Sequence, residues 1–170
     1  MKLYYSPGAC SLSPHIALRE AGLPFTLHKV DLGSKKVDAD GDYTKVNGKG
    51  YVPALMLDNG ELVTEGPVIV QMIADKAAGK NLAPAAHSAE RYKLQEWLNF
   101  ITAELHKPMG SMFNPAQTAE WKEAVKTTLT KRVLAVFLPE ASKRGARKTT
   151  SQVCHSPGAL QTLVRGAAVL

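Results

Sequence analysis

"KLYYSPGACSLSPHIALREAGLPFTLHKVDL", residues 2–32, is the stretch whose reading decides the fold. Its first four residues are a short strand-like run that ends in the Ser6-Pro7-Gly8 loop. From Ser11 to about Ala21 the apolar residues Leu12, Ile16, Ala17 and Leu18 fall near helical spacing. Pro14 is tolerated because the first helical turn has no backbone N–H bond to lose. Gly22 and Pro24 end the helix, and "FTLHKVDL" (25–32) reads as a second strand. Strand, helix, strand is a βαβ unit, which makes the two strands parallel.

Working outward, residues 33–50 are polar and glycine-rich, a loop with one irregular helical piece near Asp38–Lys45. "YVPALML" (51–57) is a strand, "DNG" (58–60) a hairpin turn, and "ELVT" (61–64) the return strand. Residues 67–77 open on a proline at a helix-starting position and continue helically. The first 78 residues therefore read β-α-β, loop, β-β-α, and residues 79–88 have the composition of a linker. Beyond it the pattern is helical. Residues 89–107 carry Tyr92, Leu94, Trp97, Leu98, Ile101 and Leu105 at helical steps, with Pro108 and Gly110 expected to stop or kink the helix. A second helix, 118–136, repeats Trp121, Val125, Leu129 and Val133 every four residues. From about Phe137 the chain changes character: breakers and scattered basic residues show no sustained period, and the most that can be read is a short helix at 159–165.

Composition is that of a globular protein, 45% hydrophobic and 21% charged. No apolar run approaches the roughly 18 residues a membrane helix needs, and the N-terminus has no signal-peptide pattern. The expectation is a cytoplasmic protein without a membrane partner. The net charge of +6 suggests nucleic acid at first, but its distribution argues against that partner. Residues 137–170 carry +4 of it, and the other 136 residues only +2. Two cysteines, Cys10 and Cys154, offer neither a disulfide framework nor a metal set, so no metal is expected.

Cys10 follows a glycine-bearing loop at a helix start, where unpaired N–H groups favour thiolate over thiol. Such placement can lower a cysteine pKa and make the sulfur reactive. A buried, inert cysteine fits the same spacing, since free cysteine packs as a small hydrophobe. "CSLS" (10–13) is a C-x-x-S arrangement, which excludes an internal dithiol cycle and leaves a monothiol working with an external thiol.

Three blocks, "KLYYSPGACSLSPHIALRE", "NGKGYVPALMLDNGELVTEG" and "RYKLQEWLNFITAELHK", together resemble the bacterial beta class of cytosolic glutathione transferases over residues 1–136. The resemblance implies an α/β plus all-α architecture. A thioredoxin-like domain at 1–78 would bind glutathione, and after the linker at 79–88 a partial helical domain would occupy 89–136. Cys10 and His106 would be catalytic, with Cys10 beside the glutathione sulfur and able to form a mixed disulfide. Ser11 would offer a hydroxyl or N–H to the same thiol. Val52, before a cis Pro53, would pair its backbone with the cysteinyl unit of the tripeptide. Glu65 and Gly66, at the start of helix 67–77, would hold the γ-glutamyl ammonium and carboxylate; related proteins often have serine at Gly66. Lys35, exchangeable with Lys36, would meet the glycyl carboxylate. Asn99, Ala103 and His106 would share a helix face, with Glu104 and Leu105 bordering the site, partly of a neighbouring subunit. His15 reads as structural.

What the resemblance implies is conjugation of the glutathione thiolate to small hydrophobic electrophiles, with glutathione as substrate and a homodimer as the assembly. The electrophile pocket would lie near Met109 and Phe113. Two other functions fit the same residues: a monothiol glutathione-dependent thiol-disulfide reductase and a non-catalytic glutathione-binding or interaction protein. The resemblance ends near residue 136. Residues 137–170 lack the Ser/Thr-x-x-Asp capping box of the family's buried helix, and a change of reading frame would produce their composition. Apolar faces left without those helices would reduce solubility and activity.

Overall fold

The computed structural model describes residues 1–38 and 41–145. They fall into two compact units that part between Gln95 and Glu96.

In the first unit, β1 (Lys2–Tyr5), α1 (Leu12–Ala21) and β2 (Thr26–Lys29) form the βαβ element read from the sequence. Two-residue strands β3 (Lys36–Val37) and β4 (Gly41–Asp42) follow, then a 3-10 turn at Tyr43–Lys45. This small hairpin is not legible from residue pattern, because two residues per strand carry no periodicity. Next come β5 (Ala54–Met56), β6 (Leu62–Thr64) and α2 (Gly66–Lys76). The main sheet has the order β2-β1-β5-β6. β1 pairs parallel with β2, Leu3 opposite Leu27, and antiparallel with β5, Leu3 opposite Leu55. β5 pairs antiparallel with β6 through the Asp58-Asn59-Gly60 turn. This is the thioredoxin-like arrangement.

Its core is built from the alternate faces of short strands and the apolar stripes of two helices. Leu3, Leu55, Leu18, Ile69 and Ile73 are all fully enclosed. Burying each side chain of this size contributes roughly 1.5–3 kcal/mol. Pro14 sits in the first turn of α1 and is buried there, as the position allowed. The start of α3 (Ala89–Phe100) belongs to this unit. Arg91, 5% exposed, pairs both guanidinium N–H groups with the Asp75 carboxylate and donates through Nε to the Pro84 carbonyl at 2.8 Å.

In the second unit the helix does not stop near Pro108. It widens into a π-helical segment at Ile101–His106 and resumes as α4 (Lys107–Ser111). The Lys107 N–H reaches back five residues to the Thr102 carbonyl. Pro108 has no N–H for the Glu104 carbonyl, its partner in a regular helix. Arg132 supplies the missing donor: Nη1 lies 3.2 Å from that carbonyl and 2.7 Å from the Glu104 carboxylate. A proline that should break the helix is therefore accommodated by a wider turn and a borrowed arginine. α5 (Ala119–Gly145) includes the helix expected at 118–136 and continues beyond it. The short helix read at 159–165, Cys154 and the remainder of the chain after Gly145 lie outside the described residues.

Candidate functional site

Sheet register builds the site. Because β1 and β5 are antiparallel, with Tyr4 opposite Ala54, the loop leaving β1 lies beside the segment entering β5. Because β5 and β6 are also antiparallel, with Ala54 opposite Thr64, the start of α2 comes to the same end of the sheet. Cys10, Val52-Pro53 and Glu65-Gly66 are thus neighbours although they are spread over 57 residues of sequence.

The loop after β1 turns at Gly8, whose φ of 72° is the left-handed conformation glycine adopts without steric cost. Ser11 closes it. Its hydroxyl donates to the Ser6 carbonyl at 3.2 Å and accepts from the Ser6 N–H at 3.1 Å, and the residue is 1% exposed. The hydroxyl that the resemblance offers to a bound thiol is therefore engaged within the loop, which leaves the N–H for that contact. The Cys10 thiol, partly buried, donates to the Val52 carbonyl at 3.3 Å. Burial pushes its pKa up, and the negative charge of Glu65 adds to the rise. The N–H groups of Cys10 and Ser11 pull the other way without prevailing. The helix start alone predicts a thiolate; desolvation outweighs it, and the resting group is a thiol.

The Val52–Pro53 peptide bond is cis. Just before it, the Tyr51 carbonyl accepts from the Tyr43 hydroxyl and from Asn47 Nδ2, both at 2.8 Å. Tyr43 is fully buried and Asn47 4% exposed, so the turn is held from inside the core. Neither residue stood out in the sequence, since a tyrosine and an asparagine in a polar loop give no signal of what they hold.

Glu65 caps α2 at φ 70°, a conformation rare for a residue with a side chain and common where geometry serves a site. Its carbonyl accepts from the Val68 and Ile69 N–H groups, both at 3.0 Å. Its carboxylate meets Lys49 Nζ at 2.9 Å, and the same ammonium reaches the Thr64 hydroxyl at 3.1 Å. Lys49 is one loop lysine among several in the sequence, where nothing signals its contact with Glu65. At Gly66 a Cβ would approach Pro53 Cγ at 3.8 Å, ordinary contact, so a side chain fits there. Lys35, at φ 58°, donates to the Gly50 carbonyl at 3.1 Å and lies 5.8 Å from the Tyr51 ring centre.

In the second unit, Asn99 and Ala103 are exposed, while Glu104, Leu105 and His106 are partly covered. The π-helical turn intervenes between Asn99 and His106, so the 100° steps that put them on one face of an α-helix do not hold across it. Burial, and then the charge of Lys107, lowers the His106 pKa and favours the neutral imidazole. Met109 is partly covered and Phe113 is 83% exposed. Among the described residues no group of three His, Cys, Asp or Glu side chains is placed to hold a metal ion. No helix among them is long and apolar enough to cross a membrane.

Comparison with known proteins follows the same blocks. Residues 8–76 match the family described as glutathione S-transferase, N-terminal domain. The chain is 49% identical over 133 residues to the glutathione S-transferase GstA of Escherichia coli O157:H7, covering 78% of this chain and 66% of that relative. It is 39% identical over 113 residues to glutathione S-transferase GST-4.5 of Xanthomonas campestris, covering 66% of this chain and 53% of that one. Among solved structures, the ternary complex of BphK, a bacterial GST, has a TM-score of 0.81 and 51% identity, covering 99% of this chain and 81% of that chain. A sphingomonad glutathione S-transferase complexed with glutathione has a TM-score of 0.82 and 40% identity, with coverage of 99% and 81%. The chain thus spans only part of each curated relative, about two thirds of one and half of the other.

Proposed function

The chain belongs to the glutathione S-transferase family, and from that premise we propose that it binds glutathione at the Cys10–Val52–Glu65 end of the sheet and conjugates it to small hydrophobic electrophiles. One observation carries the reading: a thiol, a backbone carbonyl ahead of a cis proline, and a helix start bearing a carboxylate converge at one sheet end. Each fits a different part of the tripeptide.

The cysteinyl N–H of glutathione would take the Val52 carbonyl now occupied by Cys10. The displaced S–H would then turn to the sulfur of the ligand; with glutathione disulfide as the co-reactant, attack of the Cys10 thiolate would form the mixed disulfide and release one glutathione thiolate. The γ-glutamyl carboxylate suits the N–H groups opening α2, and its ammonium the Glu65 carboxylate. With Gly66 only the backbone donor is present. Lys35 would meet the glycyl carboxylate after releasing Gly50. Asn99, Ala103, Glu104, Leu105 and His106 are proposed to contact glutathione, in part that of a neighbouring subunit, in a homodimer of a cytoplasmic enzyme. In this reading the nucleophile is the sulfur of the substrate, which attacks an electrophilic carbon. The raised pKa of Cys10 favours this over the monothiol reductase, whose cysteine must itself attack as thiolate. The division into a binding domain at 1–78, a linker at 79–88 and a helical domain from 89 belongs to the same proposal.

The test is retention on immobilised glutathione, with conjugation of an aryl halide and reduction of a glutathione mixed disulfide assayed in parallel, for the intact chain and Cys10→Ala. Conjugation is expected. Reduction without conjugation would establish the reductase, and retention with neither activity a binding protein.

A further inference from the structure

We infer that Lys49 is a built-in stand-in for the ligand's ammonium, and that it sets how strongly the site discriminates in favour of a ligand carrying one. The inference rests on the assignment of Glu65 to the γ-glutamyl ammonium. Its own ground is the geometry of one side chain: Lys49 Nζ lies 2.9 Å from Glu65 Oε1 and 3.1 Å from the Thr64 hydroxyl oxygen. A primary ammonium is therefore already seated on the carboxylate where the ligand's primary ammonium is proposed to dock. The two cations are chemically alike, both R–NH3⁺ groups with three donors.

The two side chains come from separate elements, and neither carboxylate nor ammonium is enclosed. Glu65 is fixed by its place at the head of α2 and by a backbone φ of 70°. Lys49 reaches it from an otherwise separate loop, 16 residues away. Both side chains are more than half exposed, 55% and 58%, which makes the pair weak and exchangeable. Such a contact is a poor stabiliser of the fold, and it is well suited to be replaced.

Two effects follow, and they have the same sign. With Lys49 present, an incoming ammonium must displace it or share a carboxylate that is already neutralised, so the ammonium gains little. For a ligand without the ammonium, Lys49 stays in place and offsets the repulsion between Glu65 and the ligand's carboxylates. The ammonium-free ligand is therefore penalised less than an isolated Glu65 would penalise it. Lys49 lowers selectivity in both ways.

The experiment compares dissociation constants, by calorimetry on the full chain, for glutathione and for glutaryl-cysteinyl-glycine, the same tripeptide with the α-ammonium replaced by hydrogen. In Lys49→Met the ratio of the two constants is expected to rise by up to about fivefold, the range an exposed ion pair can supply. In Lys49→Arg, which keeps the cation, the ratio is expected to stay near that of the unsubstituted chain. In a Glu65→Gln background, Lys49→Met is expected to leave the ratio unchanged. A ratio unchanged in Lys49→Met alone, or raised equally by Lys49→Arg, would overturn the assignment of Lys49. Failure of the unsubstituted chain to bind glutathione would overturn the reading of the site itself, and with it this inference.

Discussion

Pro53 and Pro108 both interrupt regular backbone, and the two regions handle the interruption differently. Before Pro53, the Tyr51 carbonyl is held by Tyr43 and Asn47, both buried. Before Pro108, the Glu104 carbonyl is held by Arg132, whose side chain is 41% exposed. In the first case the donors are buried and cannot turn to water, so a broken bond leaves them unpaired. In the second, water competes with the arginine throughout and can replace it. The same distinction separates the surroundings: the sheet unit encloses Leu3, Leu55, Ile69 and Ile73, whereas Val133 and Leu134 of α5 are 39% and 47% exposed. The proposed chemistry sits where the backbone is held from inside.

That contrast can be broken by experiment. The largest effect is expected from Tyr43→Phe combined with Asn47→Ala, which removes both donors to Tyr51. It should cost about 2–3 kcal/mol in urea denaturation and weaken glutathione binding with it. A loss of a few tenths would mean that the turn before Pro53 does not depend on buried donors. Next is the pH dependence of Cys10. A pKa raised by burial means that the thiol form prevails at neutral pH, so alkylation of the Cys10 peptide should be slower there than for an ordinary cysteine. The rate should climb with pH until it passes the ordinary thiol range. Glu65→Gln, which removes a charge that raises the pKa, should shift the profile to lower pH. Rapid alkylation at neutral pH would show that the helix start outweighs desolvation after all.

A smaller effect is expected at Gly66. Since a Cβ there meets Pro53 Cγ at 3.8 Å, Gly66→Ser should leave thermal stability nearly unchanged. It should tighten glutathione binding by a few fold, about the worth of one hydrogen bond. A fall in stability would show that the approach of α2 to Pro53 is tighter than this distance allows. The smallest effect is expected from Arg132→Met. Because its partner groups can turn to water, the cost should be under about 1 kcal/mol. A cost matching the Tyr43/Asn47 pair would erase the contrast between the two prolines.

How much of this was legible in the residues follows from the range of the forces concerned. The βαβ unit, the hairpin at Asp58-Asn59-Gly60 and the helix opened by Pro67 follow from local spacing and turn chemistry, and all are present. The cis bond at Pro53 was expected only through the resemblance, since most X–Pro bonds are trans. The π-helical turn was invisible, because the residue that supports it, Arg132, lies 28 positions further on. For the same reason nothing in the sequence tied Lys49 to Glu65 or Tyr43 to Tyr51.

The sequence by itself determined the main-sheet strands and both helices of the βαβ and ββα segments, because those depend on neighbours a few residues apart, though not the small β3–β4 hairpin. It also placed a cysteine at the head of a helix and, through its three blocks, pointed to the family. Only the tertiary structure decided what that cysteine is. Antiparallel register brought Val52 and Glu65 to it, burial and charge raised its pKa, and the Val52 carbonyl accepts its hydrogen bond. Helix starts act over a turn of backbone, but desolvation sums over everything the fold packs around the sulfur, and the larger sum settled its state.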